Sequence, residues 1–208
     1  RGAGNLLGEE QHGHLEAIGF DLYCRLLEEA VADLKGGGGA VALDVKVDLK
    51  QPAYLPDDYI GDPEQKMDLY RRLVRLKHGR AFARLREELR DRYGPLPVPV
   101  ANLIAGQRIR VLASRNGVEE VRADRQGVAF FFAGGREPSA AIIRGLMGTG
   151  PKGLAFKAAG QFVMKVPAPR EEALAAAHAT LDLLDRLRQA AGEGGARPLG
   201  AEPVKEST

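Results

Sequence analysis

The apolar residues of this chain change period across an unbroken run of four glycines at 36–39. Before that run, Leu15, Ile18, Leu22, Leu26, Leu27, Ala30, Val31 and Leu34 recur at steps of three and four, the period of an amphipathic helix. After it, Val41, Leu43, Val45, Val47 and Leu49 alternate with Ala42, Asp44, Lys46, Asp48 and Lys50, the two-residue repeat of a strand with one wet face. Glycine leaves a helix for a turn at low steric cost, so the run both ends the helix and marks a boundary.

Beyond Pro52 and Pro56, which stop the strand, the pattern is helical again. Asp62 followed by Pro63 reads as an N-cap with proline at the first helical position, and Leu69, Leu73 and Leu76 carry the helix to about His78. Gly79 breaks it. A second helix is expected over 80–93, and Gly94, Pro95 and Pro97 separate it from a third over 98–115. Four β-prone runs follow, at 118–122, 128–132, 154–157 and 162–166, with a short helix over 139–146 between them. A last helix is expected over 170–188 from the spacing of Leu174, Leu181, Leu184 and Leu187.

These elements predict an α+β fold, a compact mixed domain over 40–190 with a small sheet and several helices. Residues 1–39 precede it as a glycine-rich loop and a long connecting helix. The tail 191–208 is expected to be disordered, being rich in Gly, Pro and Glu without an apolar period. There is no run of about 18 apolar residues and no basic segment leading into an apolar one, so no membrane partner is expected. A single cysteine, Cys24, leaves no intrachain disulfide and suggests a cytoplasmic protein. The chain begins at Arg1 in a segment with nothing to hold it, and is expected to be a piece of a longer protein.

Several stretches invite a chemical reading. GLMGTGPKG at 145–153 has the glycines of a phosphate loop, but Pro151 follows Gly150 and no hydroxyl follows Lys152, so a glycine-rich turn is expected instead. His12, His14 and Cys24 lack the paired spacing of structural zinc, and no metal site is assigned. His78 and His178 fit solvent-facing or dipole-stabilising positions. Asp57 and Asp58, between prolines, are expected to shape a turn. No nucleophile, base and orienting acid form a recognisable set, so no catalytic residue is assigned.

The basic stretch 66–92 holds ten Lys or Arg against four Asp or Glu. Arg71, Arg72 and Arg75 fall opposite Leu69, Leu73 and Leu76, and Arg84, Arg86 and Arg90 decorate the next helix. Such a face can meet phosphates. Charged outer faces are also what surface helices carry, and Asp68 stands four residues before Arg72, where it can absorb charge. A solvated or protein-contacting face is favoured, with nucleic-acid binding as the alternative.

The opening RGAGNLLGEEQHGHL resembles the motif that follows the second motor lobe in transcription-repair coupling factors and in RecG-type branched-DNA translocases. The matching residues are Arg1, Gly2, Gly4, Leu7, Gly8, Gln11 and Gly13. IGFDLYCRLLEEAV resembles the helix after that motif, and LPDDYIGDPEQKMDLYRRL with LREELRDRYGPLP resembles the C-terminal domain of the coupling factors, which RecG-type enzymes lack. Lys66 departs from the arginine of the family pattern. The resemblance implies that Arg1, Gly2, Gly4, Gln11 and Gly13 couple ATP-driven lobe movement to stepping on double-stranded DNA. It also implies a parent that uses ATP and Mg to displace stalled RNA polymerase. The chain itself, without nucleotide-binding motifs, is expected to be no enzyme and to need no cofactor. Its domain is expected to be autoinhibitory, packing on the N-terminal excision-repair-like module of its own protein and masking the surface for the damage-recognition ATPase.

Overall fold

A computed structural model describes residues 45–158 and 160–193. Arg1, Gly2, Gly4, Gln11, Gly13, the connecting helix, the residues His12, His14 and Cys24, and the tail from residue 194 onward lie outside the described residues. Within the span expected as one domain, the chain divides into two compact units. Residues 51–108 form a helical unit; 45–50 and 109–193 belong to a sheet unit.

The helical unit begins with α1 (Pro63–Arg75). Asp62 caps it by accepting from the Glu64 amide at 2.9 Å and from Gln65 Nε2 at 2.8 Å, and Pro63 gives up only an amide that the first turn would leave unbonded. The helix ends at Arg75, three residues before the expected limit, and Leu76 adopts an extended conformation as its cap. His78 therefore stands at the N-terminal end of the next helix, where an imidazolium would oppose the helix dipole instead of relieving it. Helix α2 (Gly79–Tyr93) closes at Gly94, whose φ of 87° suits glycine and whose amide returns to the Arg90 carbonyl. One face of each helix is buried: Leu69, Tyr70 and Leu73 on α1, and Phe82, Leu85 and Leu89 on α2. The long α3 (Val98–Arg115) tolerates Pro99 in its first turn. Its first half buries Val100, Leu103 and Ile104 in the helical unit, and its last turns bury Ile109, Leu112 and Ala113 in the core of the other.

The sheet unit holds β1 (Lys46–Asp48), β2 (Val118–Asp124), β3 (Gly127–Phe132), β4 (Ala155–Lys157) and β5 (Val163–Val166). They form one sheet in the order β1-β2-β3-β5-β4. Only β1 and β2 are parallel. A parallel pair requires a crossover connection, and here the whole helical unit occupies that crossover. Val41 and Leu43 lie outside the described residues; of the expected alternation, Val45 and Leu49 are buried and Lys46 is exposed.

Asp124 Oδ1 closes the tight β2–β3 hairpin by accepting from the Gln126 and Gly127 amides at 2.7 and 3.1 Å. Gly127 has φ 145°, and a Cβ there would collide with the Val166 carbonyl on the neighbouring strand. Helices α4 (Ala140–Thr149), capped by Ser139, and α5 (Ala173–Ala190), led in by a 3-10 turn at Arg170–Glu172, pack on one face of the sheet. The core between them contains Val121, Phe130, Phe132, Met164, Leu146 and Leu181.

The glycine-rich turn expected at 145–153 is shorter than the sequence suggests, because Gly145 and Gly148 belong to α4. A Cβ on Gly145 would stand 3.0 Å from Leu187 Cδ2, so the missing side chain lets α4 and α5 approach closely. No helix among the described residues is long and apolar enough to cross a membrane.

Candidate docking cleft on the helical unit

The segments LPDDYIGDPEQKMDLYRRL and LREELRDRYGPLP converge on a cleft of about 280 Å³ lined by the turn before α1, by α1 and by α2. Its floor is apolar, with Ile60, Leu69 and Leu89 buried. Its rim is ionic and hydrogen-bonded.

The strongest polar link is Arg72 on α1 to Glu88 on α2, two parallel bonds of 2.7 and 2.5 Å. This fork-to-fork geometry matches a planar guanidinium to a carboxylate. The Arg72 bond is the main reason that the Glu88 carboxyl is held below its ordinary range, and the Glu88 bond raises the arginine in turn. The expected helical neighbour Asp68 is a lesser influence on Arg72 than this partner across the cleft. Sequence spacing shows only neighbours on one helix; the partner sixteen residues away is visible only once α1 and α2 pack.

A second link runs through Gln65, whose Oε1 accepts from the Tyr93 hydroxyl at 2.7 Å and from Arg92 at 3.3 Å. The Arg92 guanidinium lies 5.1 Å from the Tyr93 ring centroid, a cation–π distance. Tyr59 stacks at a tilt on Tyr93, with centroids 5.6 Å apart, and its hydroxyl donates to the Leu89 carbonyl at 3.1 Å. Burial, then the neighbouring Tyr93, raises the Tyr59 phenol. Asp62 is lowered first by its bond from Gln65, then by the Glu64 amide. The turn bearing Asp57 and Asp58 is closed by the Pro56 carbonyl, which accepts from the amides of Tyr59 and Ile60 at 3.2 and 3.1 Å. Asp57 also pairs with Lys66, so the residue that departs from the family pattern still meets a carboxylate.

The five arginines singled out in the sequence do not form one strip. Arg71 and Arg75 share the exposed side of α1 with Glu64 and Asp68, since steps of three, four and seven residues return to the same face. Arg84 and Arg90, six residues apart, sit about 120° apart around α2, with Glu87 and Asp91 between them. Arg72 is committed to Glu88. Arg71, Arg75 and Arg84 make no ion pair among the described residues, and Arg90 has only a long contact of 3.9 Å to exposed Asp91. Gln65, Glu88, Arg92 and Tyr93 are the cleft residues that sequence reasoning missed. Alternating charge along REELRDRY was the only local signal for Glu88, Arg92 and Tyr93, and Gln65 on α1 had none.

Elements, topology and cleft define a class: an α+β domain with a helical unit inserted in the crossover of a small mixed sheet, and an ionic cleft between two of its helices. The TRCF domain family matches residues 49–142, a span that holds the whole cleft. A transcription-repair-coupling factor of Escherichia coli K12 is 37% identical over 157 residues, which are 73% of this chain and 14% of that protein. The Myxococcus xanthus protein of the same name is 47% identical over 103 residues, 50% of this chain and 9% of the relative. A crystal structure of the C-terminal domain of a transcription-repair coupling factor has the same fold, with a TM-score of 0.62 at 21% identity, covering 70% of this chain and 94% of that one. The chain is thus similar to transcription-repair-coupling factors along a TRCF domain, and it spans only a small part of the length of the curated relatives it matches.

Proposed function

We propose that this chain is the C-terminal part of a transcription-repair coupling factor and that its described domain is an autoinhibitory docking module, not an enzyme. The reading is carried by one observation. The two segments that resemble the family's C-terminal domain fold into a single hydrogen-bonded cleft, whose rim sets the Arg72–Glu88 pair beside the Gln65–Tyr93–Arg92 network. Reversible intramolecular docking suits a polar surface of fixed shape, because a wholly apolar one would favour the closed state too strongly to release it.

In this reading the parent is an ATP-dependent double-stranded-DNA translocase of the cytoplasm that acts on stalled RNA polymerase, with ATP and Mg held by the motor. Arg1, Gly2, Gly4, Gln11 and Gly13 transmit lobe movement to DNA stepping. The domain packs on the N-terminal excision-repair-like module and covers the surface that recruits the damage-recognition ATPase. Removing residues 41–208 from the parent is expected to increase capture of that ATPase in a pull-down; unchanged capture rejects the masking role.

Exposed Arg71 and Arg75, without ion pairs among the described residues, favour a second reading in which the helical unit grips duplex DNA. Titration with duplex at two salt concentrations separates the two, since phosphate contacts weaken steeply with salt.

A further inference from the structure

The strand register places an aromatic platform on the face of the sheet opposite the helices. One row across all five strands reads Lys46, Glu120, Phe131, Val163 and Lys157. Phe131 stands at its centre and is half-buried, while Phe130 and Phe132 on the same strand point into the core. The Arg122 guanidinium lies over the Phe131 ring, 4.6 Å from its centroid, so a ring and a guanidinium are already in cation–π contact on a face that no helix among the described residues covers. The next row, through Arg122, Ala129 and Lys165, has alanine where a larger side chain would raise the surface, and Ala155 and Gly127 keep its borders low.

Charge on this face is arranged in two classes. Its carboxylates are tied to neighbours within the face: Glu120 to Arg122 at 3.2 Å, Asp124 to Lys165 at 3.2 Å, and Asp48 to Lys50. Glu119, at the end of β2, accepts from Gln161 at 2.5 Å. Lys46 and Lys157, both exposed, make no ion pair among the described residues and stand at opposite edges of the Phe131 row. Four strand spacings separate them by about 19 Å.

We infer that this face binds a short stretch of single-stranded nucleic acid, with bases stacking on the Phe131–Arg122 platform and phosphates meeting Lys46, Lys157 and Lys165. Flat aromatic and guanidinium planes accept any base, and a sheet of this width spans several nucleotides. A duplex keeps its bases inside the stack and cannot use the platform, so single strands are the matching ligand. This site is separate from the cleft and stands whether or not the docking role holds.

The test uses the 208-residue chain, labelled with nitrogen-15, with decamers of oligothymidylate and oligouridylate and a duplex of the same length. Amide shifts are expected on β2, β3 and β5 around Phe131, with single strands bound more tightly than duplex. Three lysine contacts imply a loss of about 20-fold in affinity between roughly 50 and 200 mM salt. Phe131→Leu, which keeps the apolar volume and removes the ring, is expected to weaken binding by about tenfold or more. Lys157→Ala, at an exposed edge that does not threaten the fold, is expected to lessen the salt dependence. Shifts mapping to Arg71 and Arg75, equal affinity for duplex, unchanged binding by both variants, or no binding at low salt each overturn the proposal.

Discussion

Glu88 shows how one side chain ties sequence to proposed action. Its carboxyl is lowered first by the hydrogen bonds from Arg72, so the folded state holds a proton less readily than the unfolded chain, where a glutamate titrates near about 4.3. The stabilisation from the pair is therefore fully present above that value and is lost as pH falls through the lower folded one. Both partners are 43% exposed on their side chains, so solvent screening keeps the contribution small, about 0.5–1 kcal/mol. Glu88→Gln is expected to be less stable than the parent chain by that amount at pH 7 in urea unfolding, and the gap should close below about pH 4. A gap that stays constant across that range would place the effect in packing instead of charge.

At the scale of elements, capping and close approach decide where helices end and how they meet. The helix start at Asp62-Pro63 was legible because the signal is local: a short carboxylate reaching the next amides and a proline whose missing donor costs nothing there. The extent of α4 was not legible. Glycines at 145, 148 and 150 look alike in the sequence, yet the first two are helical and only Gly150 caps the helix. Gly145 is tolerated because Leu187 occupies the space that its side chain would take, a fact about α5 that no local pattern contains. Gly145→Leu is expected to destabilise the sheet unit by about 1–3 kcal/mol through overpacking, despite leucine's better helix propensity. A thermal unfolding midpoint equal to that of the parent chain would show that α5 can move aside.

At the scale of the whole molecule, the described residues fall into two compact units, and α3 contributes buried residues to each. Leu73, 1% exposed, belongs to the helical unit, and Leu73→Ala is expected to cost about 2–5 kcal/mol by lost burial and a residual cavity. If the units unfold as separate cooperative bodies, hydrogen exchange will speed up across 51–108 while β3 and β5 keep their protection. Uniform loss of protection would mean that α3, which passes from one unit to the other, makes them a single cooperative structure.

Among the described residues, element type and order were legible in the sequence alone, including the third helix at both ends and the four later strands to within two residues, because period and turn chemistry act over a few neighbouring residues. The α+β class followed from that order, and the family resemblance from motifs spread along the chain. What tertiary structure decided was every relation between distant residues: the parallel pairing of β1 with β2 around an inserted helical unit, the Arg72–Glu88 clasp in place of an Asp68 neighbour, and the row that centres Phe131 on an open face. The physical reason is common to all three. Contacts across helices and strands form between residues that no periodicity relates, so their partners exist only when burial of Leu69, Leu73, Leu85 and Leu89, or of Phe130 and Met164, brings the elements together.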